Sequence, residues 1–146
     1  MNYINFFFDE IKVFKIPEDN IKNIISRIIE DSHNIVGEIS VIFCTDNYLL
    51  ELNKKYLKHD YFTDIITFNY SDGKIISGDL FISIDRVKEN SVKFNVNFID
   101  ELARVVYHGI LHLNGYDDSN PEEKQLMRLK EDYYLQNNSF DGSKNV

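Results

Sequence analysis

The stretch from Phe98 to Gly115, FIDELARVVYHGILHLNG, constrains the fold more than any other part of the chain. Asn97 can cap a helix here, Asp100 and Glu101 suit its positive end, and Gly115 can stop it in a left-handed conformation. Residues three and four apart share a helix face. Glu101, Arg104 or Val105, His108 and His112 therefore line one side, and Leu102, Val106, Ile110 and Leu113 spread apolar surface elsewhere. A helix apolar over so much of its circumference belongs in an interior, so the rest of the chain has to cover it. Gly109 costs such a helix about 1 kcal/mol of propensity. Either close packing or the approach of a ligand would account for it.

The cover is legible upstream. NYINFFF (2–8), EISVIFCT (38–45), DIITFNY (64–70) and ISGDLFISI (76–84) read as strands. SDGK (71–74) between the last two is a hairpin signal, which predicts one antiparallel pair. Pro17 can open a helix, with Glu18 and Asp19 in its first turn. Ile21, Ile24, Ile25, Ile28 and Ile29 then form an apolar stripe, and this helix is expected to end between Ser32 and Gly37. Thr45 or Asp46 can cap a short helix carrying Leu49, Leu50, Leu52 and Tyr56. SVKFNVN (91–97) has strand-like spacing but also suits a lead-in to the long helix. The strand–helix–strand order predicts an α/β (α+β) fold, a single domain with a small mixed sheet packed with several helices. Its 146 residues are enough for one core and too few for two comfortable ones. The domain is expected to span 1–137, with 138–146 a frayed tail.

At the end of the long helix stand the groups that carry chemistry. His108 and His112 lie four apart on a face that should be largely buried, where an imidazole needs a hydrogen-bond partner or a metal. A turn at Gly115 brings Asp117 and Asp118 back as candidates for a third ligand. Asn120, Pro121 and Glu123 open the next helix as cap, first residue and capping-box acid, so the acids sit on a short connection between two helix ends. Imidazole and carboxylate favour Zn²⁺, although iron, nickel or manganese suit the same residue types.

The formal charge of −8 argues against broad clamping of a phosphate backbone but leaves room for a local basic cleft. No stretch approaches the roughly 18 apolar residues that span a membrane. The N-terminus lacks the basic segment and cleavage site of a signal peptide, so a cytoplasmic location is the default expectation. The single cysteine, Cys44, falls in an apolar run and reads as a buried thiol.

VVYHGILHLNGYDD (105–118) resembles the signature of the YbeY family of rRNA-maturation endoribonucleases, His-Gly-x-x-His-Leu-x-Gly-Tyr-Asp-His. ELNKKYLKHDYFTDIITF (51–68) resembles a second block of that family and GDLFIS (78–83) the strand that follows it, so the similarity runs over roughly residues 2 to 137. The resemblance puts the metal ligands at His108, His112 and Asp118, with one Zn²⁺ or another divalent ion per chain. Asp118 stands where the family has its third histidine, and two histidines with one acid are a known catalytic zinc set. Leu57 replaces a family arginine and His59 a family lysine.

What the resemblance implies is hydrolysis of an RNA phosphodiester by metal-activated water. The substrate would be single-stranded, with the small-subunit rRNA 3′ end and ribosome quality control as the setting. His59 and Arg104 are the candidates for catalytic work on an RNA phosphate, by orienting or neutralising it. Lys58 joins them as a substrate-binding candidate, and Arg104 is chosen for its four-residue offset from His108. The expected partners are rRNA and ribosomal particles, with a ribosomal protein or assembly factor alongside; neither DNA nor membrane is expected. A metallopeptidase is disfavoured because Gly109 occupies the place after the first histidine where zinc peptidases carry their general-base glutamate. A metal-stabilised ribosome-assembly factor with little catalysis is the other reading.

Overall fold

A computed structural model describes residues 3–136, so the expected tail at 138–146 lies outside the described residues. Among the described residues the chain forms strands β1 (Ile4–Phe8), β2 (Ile35–Cys44), β3 (Ile65–Asn69) and β4 (Ile75–Ser83). The α-helices are α1 (Glu18–Asp31), α2 (Asp46–Leu52), α3 (Ile84–Lys93), α4 (Phe98–Leu113) and α5 (Pro121–Gln136). The strands make one mixed sheet in the order β1-β2-β4-β3. β1 and β4 run parallel to β2, and β3 pairs antiparallel with β4 at the edge. The expected α+β architecture and the hairpin are both present.

Parallel central strands are buried on both faces and read as continuous apolar runs. In β2 and β4, Val41 faces Leu80 and Phe43 faces Ile82 across the ladder, all four fully buried. Their shared face carries the main core. The isoleucine stripe of α1 packs there, with Leu102, Val106, Tyr107 and Ile110 of α4. A smaller cluster of Cys44, Leu49 and Ile66 fills the opposite face. The Cys44 thiol is buried as expected, and desolvation with nearby acids pushes its pKa up to about 12.

Gly109 belongs to packing. A Cβ at that position would stand 2.7 Å from Ile65 Cδ1 and from Leu80 Cδ2, so the glycine is what lets α4 lie close on the sheet. Gly115, at φ 105°, ends α4 as predicted: the Tyr116 amide donates to the Leu111 carbonyl and the Gly115 amide to that of His112. That pairing is a Schellman turn.

Four local details go beyond the expectations or decide between them. β2 begins at Ile35, three residues early, because Ile35 and Val36 find partners in Ile75 and Ile76 across an irregularity in the ladder. Residues 84–93 form a helix capped by Ser83, whose side chain accepts from the Arg86 amide. The alternation in SVKFNVN is therefore not a strand, and its Val92, Phe94 and Val96 are all exposed. α2 continues into a π-helical turn over Asn53–Leu57 that the spacing did not reveal. Asn120 caps α5 through the Glu123 amide, but Glu123 reaches back to the amide and hydroxyl of Ser119 instead of to the cap itself.

Candidate metal centre

α4 places His108 and His112 one turn apart, and the Schellman turn sends the chain back so that Asp118 meets both rings. The two Nε2 atoms are 3.0 Å apart. Asp118 Oδ2 lies 3.3 Å from Nε2 of His108 and 3.4 Å from Nε2 of His112. Tetrahedral bonds of about 2.0–2.1 Å set ligand atoms roughly 3.3–3.4 Å apart, so the triangle has the right dimensions for a small divalent ion. The chemistry fits as well, since two facing imidazole nitrogens and a carboxylate oxygen offer three lone pairs to a common point. Asp117, the other acid considered, is exposed and stands outside this group.

Behind the triangle is a charged layer that sequence reasoning missed. Glu131 of α5 is buried, with Oε2 2.6 Å from His108 Nδ1 and Oε1 2.8 Å from Arg104 Nη1. Arg104 also donates to Asp132 Oδ1 at 2.6 Å. The partners of Arg104 are thus Glu131 and Asp132. The signal for Glu131 was present in weak form: Met127, Glu131 and Tyr134 fall on one buried stripe of α5, and an acid there has no packing reason.

Electrostatics follow from that arrangement. Burial alone would favour a neutral His108 ring, but the hydrogen bond and charge of Glu131, with Asp118 and Asp64, outweigh it and raise the pKa. Burial likewise opposes charge on Arg104, and Asp132 and Glu131 override it. Asp64, at the head of β3, is raised by burial although His108 pulls the other way. Burial also raises Glu101, against the attraction of Arg104. A cavity of about 360 Å³ opens over the site, with Asp64, Arg104, His108, Asp118, Lys124 and Arg128 in its walls.

His59 and Lys58 are placed differently. Lys58 ends the π-helical turn in a left-handed conformation, and both residues are exposed on the segment leading to Asp64. Asn53 anchors that segment by accepting from the His59 amide and donating to the Tyr61 carbonyl. The His59 Nδ1 lies 3.0 Å from the Tyr61 hydroxyl. Of the three basic residues singled out in the sequence, Arg104 is the one in the cavity wall.

Fold and site together define a small α+β protein with a two-histidine, one-carboxylate donor set suited to a divalent metal. The family described as Endoribonuclease YbeY matches residues 7–139, and the chain belongs to that family. It is 51% identical over 113 residues to Endoribonuclease YbeY of Flavobacterium psychrophilum, covering 77% of this chain and 81% of the relative. With Endoribonuclease YbeY of Parabacteroides distasonis the identity is 43% over 132 residues, 90% of this chain and 93% of the relative. A solution structure of a Thermotoga maritima protein superposes with a TM-score of 0.63 at 29% identity, covering 91% of this chain and 87% of that one.

Proposed function

We propose that this chain is a metal-dependent endoribonuclease that cuts single-stranded RNA during rRNA maturation, at the small-subunit 3′ end, and serves ribosome quality control. The observation that carries the chemistry is the donor triangle of His108, His112 and Asp118, with sides of 3.0 to 3.4 Å. These residues would hold one Zn²⁺ per chain. When bound, the ion supplies Lewis acidity toward a phosphoryl oxygen and acidifies water for attack on phosphorus.

The chain's own side chains prepare the cleft for an anionic substrate. Its charged lining counts four carboxylates, Asp64, Glu101, Asp118 and Glu131, against Arg104, Lys124 and Arg128. The acids outnumber the bases by one, and a divalent ion reverses that sign. A bound divalent ion would therefore strengthen the attraction of the cleft for RNA phosphate. Lys58 and His59 stand exposed on the segment that leads to Asp64, where they can meet RNA phosphate. A single strand can pass such a cleft with its backbone exposed, whereas a duplex would have to open. With a net charge of −8, capture of RNA depends on presentation by a ribosomal particle or protein partner in the cytoplasm. Packing of Gly109 against Ile65 and Leu80 leaves no room there for a peptidase-type acid.

The test couples metal analysis to cleavage of single-stranded and duplex RNA by the wild type and by His112→Ala, with rRNA 3′ ends mapped in cells carrying each. Stoichiometric metal, cleavage of the single strand and loss of both in the variant are expected, together with unprocessed ends. Normal ends in the variant, and no metal-dependent cleavage by the wild type on free RNA or ribosomal particles, would overturn the reading in favour of an assembly factor.

A further inference from the structure

We infer that Glu131, held in place by Arg104, is a positioning residue that sets the tautomer of His108, directing the Nε2 lone pair toward His112 and Asp118 before any ion arrives. The affinity part of this inference rests on the metal reading above; the tautomer part does not.

The argument begins with donors and acceptors. An ionised carboxylate can only accept, whereas a neutral imidazole carries one N–H and one lone pair. With Glu131 Oε2 2.6 Å from His108 Nδ1, a proton on Nδ1 makes a charge-assisted hydrogen bond. A proton on Nε2 would instead set the Nδ1 lone pair against carboxylate oxygen at that distance. It would also block the atom that faces His112 and Asp118.

Arg104 fixes the orientation of the Glu131 carboxylate. Its Nη1 donates to the second carboxylate oxygen at 2.8 Å, and Asp132 fixes the other end of the guanidinium at 2.6 Å. Both oxygens of Glu131 are thus committed, one to an arginine and one to an imidazole. The pair is only 5% exposed at Glu131, and the Arg104 side chain is 20% exposed. An ion pair so placed is weak as a source of stability, because an apolar residue on the same stripe would pack without the desolvation cost. Orientation of a metal-binding histidine supplies the missing reason, as outer partners do in metal sites generally. Arg104, on this view, acts through Glu131.

The test uses the full chain. In metal-free protein with the rings neutral, ¹⁵N-resolved NMR of the His108 side chain should show the proton on Nδ1. In Glu131→Gln the single amide oxygen is drawn to Arg104 and the NH₂ turns to Nδ1, so the proton should move to Nε2. Chelator competition should then show Zn²⁺ binding weaker by about 10- to 100-fold. Asp117→Ala, outside the donor triangle, should leave the tautomer and the Zn²⁺ affinity unchanged. Thermal unfolding of each metal-free variant separates these effects from misfolding, and Glu131→Ala serves if the glutamine variant does not fold. A proton on Nε2 in the wild type, or a folded Glu131 variant that keeps both Nδ1–H and full Zn²⁺ affinity, would overturn the inference. A wild type with the Nδ1 proton that takes up no Zn²⁺ would sink the metal reading and leave the tautomer result standing.

Discussion

Replacing Asp118 with alanine should split the stability of this protein into two regimes. Without metal, Asp118 stands 3.3 and 3.4 Å from the two histidines with 42% of its side chain exposed. A half-exposed pair of that kind contributes less than about 1 kcal/mol, so the metal-free variant should melt close to the wild type. Zinc changes the comparison. At a free concentration a hundred times Kd, a ligand that binds only the folded state stabilises it by about 2.7 kcal/mol. For a domain of this size each kcal/mol moves Tm by roughly 3–4 °C, giving a zinc shift of roughly 9 °C in the wild type. Loss of one of three ligands should weaken binding at least as much as loss of an outer partner, about 100-fold. At the same zinc concentration the variant then gains only about 0.4 kcal/mol, or roughly 1 °C. Differential scanning calorimetry with chelator and with buffered zinc measures both regimes. Asp117→Ala should retain the full shift, because that side chain lies outside the triangle. A full zinc shift in Asp118→Ala, or its loss in Asp117→Ala, would refute the ligand assignment.

Two further expectations follow from packing and charge. Gly78→Ala should destabilise by about 1–3 kcal/mol. A Cβ there meets the Phe68 carbonyl at 2.6 Å and Leu113 Cδ2 at 2.8 Å, and the carbonyl cannot yield without disturbing the β3–β4 pair; an unchanged denaturation midpoint would contradict it. Glu101→Gln should stabilise the metal-free protein most at neutral pH. Burial raises the Glu101 pKa above its unfolded value, so the ionised acid costs stability at pH 7, and that cost fades as pH falls through the raised pKa. The gap between variant and wild type should therefore narrow on acidification, and a gap that widens would refute the argument.

Local signals announced much of the site. The four-residue spacing of His108 and His112, the glycine at 115 and the Asn120 cap act over one or two turns, and each is met by a short-range hydrogen bond or dihedral. The isoleucines of α1 and the hairpin around SDGK are legible for the same reason. Spacing misled where the partner was distant. Val92, Phe94 and Val96 alternate like a strand, yet no sheet edge waits for them, and the Ser83 cap makes the preceding residues helical. β2 gained three residues only because β4 offered partners about 40 positions away.

The division within the metal centre has the same origin. The sequence alone determined that two imidazoles share a helix face and that acids follow on a short turn, since the pitch of a helix and the left-handed bend of a glycine need no partner. Tertiary structure decided that Asp118, not Asp117, closes the triangle. It also brought Glu131 across 23 positions to His108, set Arg104 beneath both, and carried Asp64 into the cleft wall from β3. Those choices depend on how α5 packs on α4 and how α4 settles on the sheet at Gly109. That docking is fixed by the summed shape of buried side chains from all parts of the chain, which no local pattern encodes.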